Sequence, residues 1–207
     1  MTSLRSFIKE LVHKKDYVVV VSGLPRSGTS MMMSALAEGG MDLLTDQLRV
    51  ADANNPMGYY EFERVKKLPK GDINWLHSAE GKAVKIISAL LSYLPSSSKY
   101  RVIFMERDLD EILASQNRML DRIGKETNDA LSETELRLSY ESHLSDVKTW
   151  LNNQDWVKTL FVSYNNVLCQ PEDEFSRVAA FLDRKVDPVA MAHVVDPSLY
   201  REKKQLL

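Results

Sequence analysis

The chain has 207 residues, 44% of them hydrophobic and 27% charged, with a net charge of −2; this is the balance of one globular domain with a buried core. The near-neutral charge gives no footprint for a nucleic-acid partner, and no stretch reaches the length of a transmembrane helix. A single cysteine, Cys169, excludes an internal disulfide and any cysteine metal site, and reads as a core or half-buried thiol.

Residues 1–15 lack the continuous apolar segment of a secretory signal. They place Phe7, Ile8, Leu11 and Val12 on one helical face, so a short amphipathic helix packed on a cytoplasmic domain is expected, without integral membrane association. Residues 17–22 form a continuous apolar run, as a parallel strand covered on both faces requires. A helix over 27–38 follows, stopped by Gly39 and Gly40. Residues 41–44 suggest a short second strand. Residues 45–60, rich in Asp, Asn, Pro and Gly, read as a long surface loop of the kind that carries function. A helix is expected over 61–68, limited by Pro69, and further strands over 83–87 and 101–105.

Asp108 and Glu111 then form a capping-box pattern ahead of the stripe Leu109, Ile112, Leu113, Gln116 and Leu120. Ser132 and Glu135 repeat that pattern before a longer helix with Leu136, Tyr140, Leu144, Val147 and Leu151 inward. A fifth strand covers 157–162. Pro171 suits the first turn of a helix burying Phe175, Val178, Ala179 and Leu182, and Asp187-Pro188 opens a last short one. Trp75, Trp150 and Trp156 read as core or loop anchors; His13, His143 and His193 read as surface or packing residues. The alternation predicts an α/β fold: three layers, α/β/α, around a mostly parallel sheet of about five strands, of the P-loop nucleotide-kinase-like kind, in a single domain over 1–207.

The first strand ends in Gly23-Leu24-Pro25-Arg26-Ser27-Gly28-Thr29-Ser30. The two glycines have the spacing of the phosphate loop GxxxxGK[ST], but Thr29 stands where the lysine belongs and Arg26 is the loop's cation. A strand that turns tightly into a helix makes an anion site, because the first helical N–H groups lack internal partners and the dipole favours negative charge. Ligands in open parallel sheets bind at the carboxyl ends of strands. That rule adds Lys85 with Ser88 and Ala89, then Arg107 with Ser115 two helical turns on. The Arg107 guanidinium suits a bidentate phosphate grip; Glu106, Asp108 and Glu111 are competing partners, and Ser115 equally suits a close helix contact.

The combined pattern resembles the sulfotransferases, in particular a bacterial type with a Pro-Arg-Ser-Gly-Thr loop. Gly23 to Ser30 resembles their 5′-phosphosulfate loop. Arg107 and Ser115 resemble their 3′-phosphate site. Asn55-Pro56-Met57-Gly58-Tyr59-Tyr60-Glu61 and the run 104–120 are similar to segments of bacterial members. The resemblance covers residues 17–120 well, and it implies the donor 3′-phosphoadenosine 5′-phosphosulfate, with 3′,5′-adenosine bisphosphate as product and no metal. It implies that Pro25, Arg26, Ser27, Gly28, Thr29 and Ser30 hold the phosphosulfate and that Arg107 and Ser115 hold the 3′-phosphate. Arg26 and the loop amides would stabilise charge on the leaving oxygen, and Lys85 would stand near the sulfate. The base is sought among Glu61, Glu63, Asp46, Asp52 and His77, with Glu61 first because it closes the Asn-Pro-x-Gly segment.

The acceptor is expected to be a small or medium-sized hydroxyl or amine compound, bordered by Tyr59, Tyr60 and residues 45–55. The family's late Arg-Lys-Gly loop is missing, and Arg201, Lys203 and Lys204 read as a solvated tail. Two alternatives stand beside this reading. One is an ATP- and magnesium-dependent kinase-like phosphotransferase, with Glu106 as its acid and Thr29 or Ser30 on the metal. The other is a non-catalytic nucleotide-binding relative.

Overall fold

The computed structural model describes residues 17–46, 58–122 and 132–196. Its centre is β1, Tyr17–Gly23, buried at every position. The cause is its setting: β1 lies between β2, Ala83–Lys85, and β3, Lys99–Glu106, while β4, Val157–Ser163, flanks β3. The strand order is β2-β1-β3-β4 and every pairing is parallel.

Successive side chains of a strand point to opposite faces, and the sheet has a separate core on each. Tyr17, Val19 and Val21 meet Met32, Met33 and Leu36 of helix α1, Thr29–Glu38, together with residues of the C-terminal helices. Val18 and Val20 meet Val65, Trp75, Leu91, Val147 and Leu151. These come from two 3₁₀ helices, Glu63–Lys70 and Ser88–Tyr93, from the N-cap of helix α2, Leu76–Ala79, and from helix α4, Glu133–Asn152. Helix α3, Leu109–Arg122, follows β3. Helices α5, Tyr164–Cys169, α6, Pro171–Leu182, and α7, Pro188–His193, complete the described chain. This is the three-layer α/β/α arrangement. No helix among the described residues is long and apolar enough to cross a membrane.

Local signals set several boundaries. The Ser132–Glu135 capping box forms in both directions, and the Asp187 carboxylate accepts from the Val189 and Ala190 amides. At the amino end of the sheet, Arg101 and Arg184 each lie 4.6 Å from the Tyr17 ring centroid, and Arg184 Nε donates to the Tyr17 hydroxyl at 2.9 Å. These contacts tie the segment after α6 to the first strand.

Some expectations need correction. Among the described residues the sheet has four strands, because 41–44 makes only a bridge from Leu43 to Ala83. Two backbone bonds form there, Leu44 N–H to Ala83 O and Ala83 N–H to Asp42 O, before the chain turns away. The segment after Glu61 is a 3₁₀ rather than an α helix and includes Pro69; proline has no N–H with which to extend an α-helical ladder. Cys169 is exposed, because α5 turns Val167 inward instead. Helix α5 itself was not anticipated. The Ser163 hydroxyl caps it by accepting from Asn166 N–H. The predicted helix with Phe7, Ile8, Leu11, Val12 and His13 lies outside the described residues, as do Asp52, Asn55-Pro56-Met57, Arg201, Lys203 and Lys204.

Candidate active site

The loop after β1 is shaped by residues that leave the usual backbone regions. Gly23 has φ 149°, Gly28 has φ 97°, and Arg26 between them has φ 72°. A positive φ is rare away from glycine and marks a backbone held by its surroundings. The Ser27 amide and hydroxyl both donate to Leu24 O, at 3.2 and 2.8 Å. Ser27 therefore closes the turn with its hydroxyl directed into the loop. Gly28 is the N-cap of α1 and supplies no side chain to cap its amides. A Cβ on Gly28 would sit 2.4 Å from Cδ2 of Tyr164, and one on Gly23 would sit 2.7 Å from the Met105 carbonyl oxygen and 2.4 Å from Ser27 Oγ.

Gly23→Ala should accordingly destabilise the fold by about 1–3 kcal/mol, the usual cost of forcing volume into a packed site. At this size that is a fall in Tm of several degrees. An unchanged melting temperature would show that the loop is not tight.

Three strands deliver cations to this loop. Lys85, last residue of β2, donates from Nζ to Ser30 Oγ at 3.1 Å and to Tyr59 O at 2.7 Å. Arg107, just past β3, donates from Nη1 to Arg26 O at 3.0 Å. Arg26 in turn donates from Nε to Ser115 Oγ at 3.0 Å, one end of a connection from the loop to α3. Arg26, Ser30, Lys85, Arg107 and Ser115 thus converge on the carboxyl edge of the sheet. Pro25 is exposed and Thr29 half-buried on the same loop.

The competing partner of Arg107 is also present. Its Nε donates to Glu111 Oε2 at 2.8 Å, with side chains only 7% and 3% exposed. The guanidinium lies 4.3 Å from the Tyr164 ring centroid. Burial pushes the Tyr164 phenol above its ordinary range, and the nearby Arg107 and Arg26 charges partly offset that rise.

The base candidates separate. Asp46 Oδ2 accepts from the Glu63 amide at 2.5 Å, so it caps the first 3₁₀ helix. Glu63 pairs with Lys66 at 2.6 Å, and His77, 90% exposed, lies beside Glu80 at 3.7 Å. Glu61 is about one-quarter exposed, with Lys66 Nζ at 3.9 Å, two residues along the chain from the carbonyl that holds Lys85. Glu106, the acid of the kinase alternative, is ion-paired with Lys148 at 2.6 Å.

Two features escaped the sequence reading. Tyr164 and Asn165 join the site from the end of β4, where the carboxyl-edge rule applies equally. His143, read as a surface or packing residue, is hydrogen-bonded at 2.8 Å to the buried Ser88, three residues past Lys85.

A parallel sheet whose first strand turns through a glycine loop into a helix, with arginine and lysine at that turn, is a P-loop-like α/β fold. The sequence matches the family model for the sulfotransferase domain over residues 16–206, and the chain belongs to that family. No curated protein sequence matches it. Its fold is similar to the sulfotransferase domain of the curacin biosynthetic pathway, at 14% identity and TM-score 0.52, covering 86% of this chain and 77% of that one. It is also similar to the sulfotransferase STF9 of Mycobacterium avium, at 12% identity and TM-score 0.50, covering 97% and 73%. A retinol dehydratase solved with androsterone and the inactive cofactor PAP aligns at 15% identity and TM-score 0.48; the match covers 88% of this chain but 64% of that one.

Proposed function

We propose that this protein transfers a sulfuryl group from 3′-phosphoadenosine 5′-phosphosulfate to a hydroxyl or amine of a small or medium-sized acceptor. The observation that carries the reading is the linked pair Arg26 and Arg107, bridged through Arg26 O and joined to Ser115, beside a glycine loop with no room for a Cβ. One cation belongs to the loop and the other to the end of the next strand. A donor with anions at both ends of its nucleoside fits such a pair, and the hydroxyl, amide and guanidinium groups are the right donors for it. The kinase alternative loses support from Thr29 in the lysine position and from the Glu106–Lys148 pair.

When bound, the donor supplies the sulfuryl group and a phosphate leaving group. In-line displacement forms a bond from acceptor oxygen or nitrogen to sulfur as the bond from sulfur to the bridging oxygen breaks. Arg26 and the first amides of α1 stabilise the charge that grows on that leaving oxygen. Lys85, held at the first turn of α1 by Ser30, orients the sulfuryl oxygens. Glu61 accepts the acceptor's proton. Ser27 contributes through loop shape, and Ser115 and Arg107 hold the far phosphate.

Thermal unfolding with 3′,5′-adenosine bisphosphate, set against unfolding with magnesium–ATP, tests this. Bisphosphate at a hundred times its Kd is expected to add ~2.7 kcal/mol of stability, and the labelled donor to pass sulfate to members of an acceptor panel. A shift with magnesium–ATP alone would overturn the proposal. Bisphosphate binding with no transfer to any acceptor would favour the non-catalytic relative.

A further inference from the structure

Arg107 is a buried cation whose orientation is set at three points. Glu111 Oε2 takes its Nε, the Arg26 carbonyl takes its Nη1, and its guanidinium carbon lies over the Tyr164 ring. A guanidinium held at two nitrogens and placed over a ring is restrained from turning about its own axis. The carboxylate that holds it is held as well: Asn165 Nδ2 donates to Glu111 Oε1 at 3.1 Å. Tyr164 and Asn165 are consecutive residues of α5, so this six-residue helix supplies both the ring and the amide.

From this we infer that Glu111, backed by Asn165, is a positioning residue that presents Arg107 to the 3′-phosphate of the donor; the inference rests on the proposed phosphate role of Arg107. Glu111 lies one helical turn past Arg107 and is itself 3% exposed. Its effect on an incoming phosphate has two opposing parts. Its negative charge repels the anion at a distance. Its hydrogen bond keeps a guanidinium pointed at the loop, where a buried cation without a carboxylate would instead swing toward water. Charge-assisted bonds depend steeply on distance and direction, so the orienting part is the larger. The two parts predict opposite signs for the removal of the Glu111 charge, which makes the matter decidable.

The test titrates the full chain by calorimetry with two probes, 3′,5′-adenosine bisphosphate and 5′-AMP, which lacks the 3′-phosphate. Wild type is expected to prefer the bisphosphate, and Arg107→Ala to lose that preference. Glu111→Gln should cut bisphosphate affinity by about tenfold or more, the size of a hydrogen bond to a charged group, and leave 5′-AMP affinity near wild type. Asn165→Ala should cut the preference in the same direction by about threefold, a weaker and indirect bond. Retained 5′-AMP affinity shows an intact fold, which a merely structural defect would not leave. Equal losses for both probes, or a gain in bisphosphate affinity in Glu111→Gln, would overturn the inference. Arg107→Ala losing the preference while Glu111→Gln and Asn165→Ala keep it overturns the positioning role alone. A preference absent from wild type, or surviving Arg107→Ala, brings down the phosphate reading of Arg107 and the inference with it.

Discussion

Arg26→Ala is expected to lower the rate of sulfate transfer by about 10²–10³-fold, the usual cost of removing one donor aimed at developing charge, with a much smaller loss of bisphosphate affinity. The asymmetry follows from which part of Arg26 does what. Its carbonyl, which alanine keeps, accepts from Arg107. Its side chain donates to Ser115 and is the only cation inside the loop itself. The backbone at φ 72° is equally unusual for arginine and alanine, so loop strain changes little between them. Arg26→Lys should recover part of the rate, because a point charge remains, yet it gives up the Nε bond to Ser115. Steady-state kcat and equilibrium bisphosphate binding, measured on both variants, read the split. Unchanged kcat with collapsed bisphosphate affinity would move Arg26 out of the transferring end and into the 3′-phosphate clamp with Arg107 and Ser115.

Much of this arrangement is written in short-range patterns. An unbroken apolar run such as 17–22 satisfies only a strand with neighbours on both edges and layers on both faces, and β1 has both. The Gly23–Gly28 spacing marks a loop where side chains do not fit, and both positions are closed to a Cβ. The Ser132–Glu135 box needs nothing beyond four residues and forms as expected. What escaped depends on distance along the chain. Glu111 and a phosphate looked like rivals for Arg107, because sequence shows partners without showing which side of a guanidinium each takes; in the fold the carboxylate takes Nε. Ser88 and His143 are separated by 55 positions and meet only once α4 packs over the second 3₁₀ helix. Helix α5 is six residues long, too short to show a period before Pro171. The exposure of Cys169 and the reduction of 41–44 to a bridge likewise depend on how a short segment turns, which no period announces.

Glu61→Gln should reduce transfer by about 10²–10⁴-fold, the range for loss of a positioned base, while donor binding stays near wild type. The substitution keeps shape and hydrogen-bonding capacity and removes only the ability to hold a proton. Asp46 accepts from the Glu63 amide and Glu63 pairs with Lys66, whose Nζ also lies 3.9 Å from Glu61. Glu61 also lies two residues past the Tyr59 carbonyl that anchors Lys85, so the stretch that would supply the proton acceptor also holds the proposed sulfuryl-orienting cation. The Asp46 amide donates to the Glu61 carbonyl at 3.2 Å, fixing the backbone from which the side chain projects. The rival is His143, already paired with Ser88 beyond the end of β2. Near-wild-type turnover in Glu61→Gln, together with a collapse in His143→Gln, would assign the proton to the histidine. Collapse in Glu61→Gln alone assigns it to the carboxylate and leaves Ser88–His143 as a packing contact between α4 and the second 3₁₀ helix.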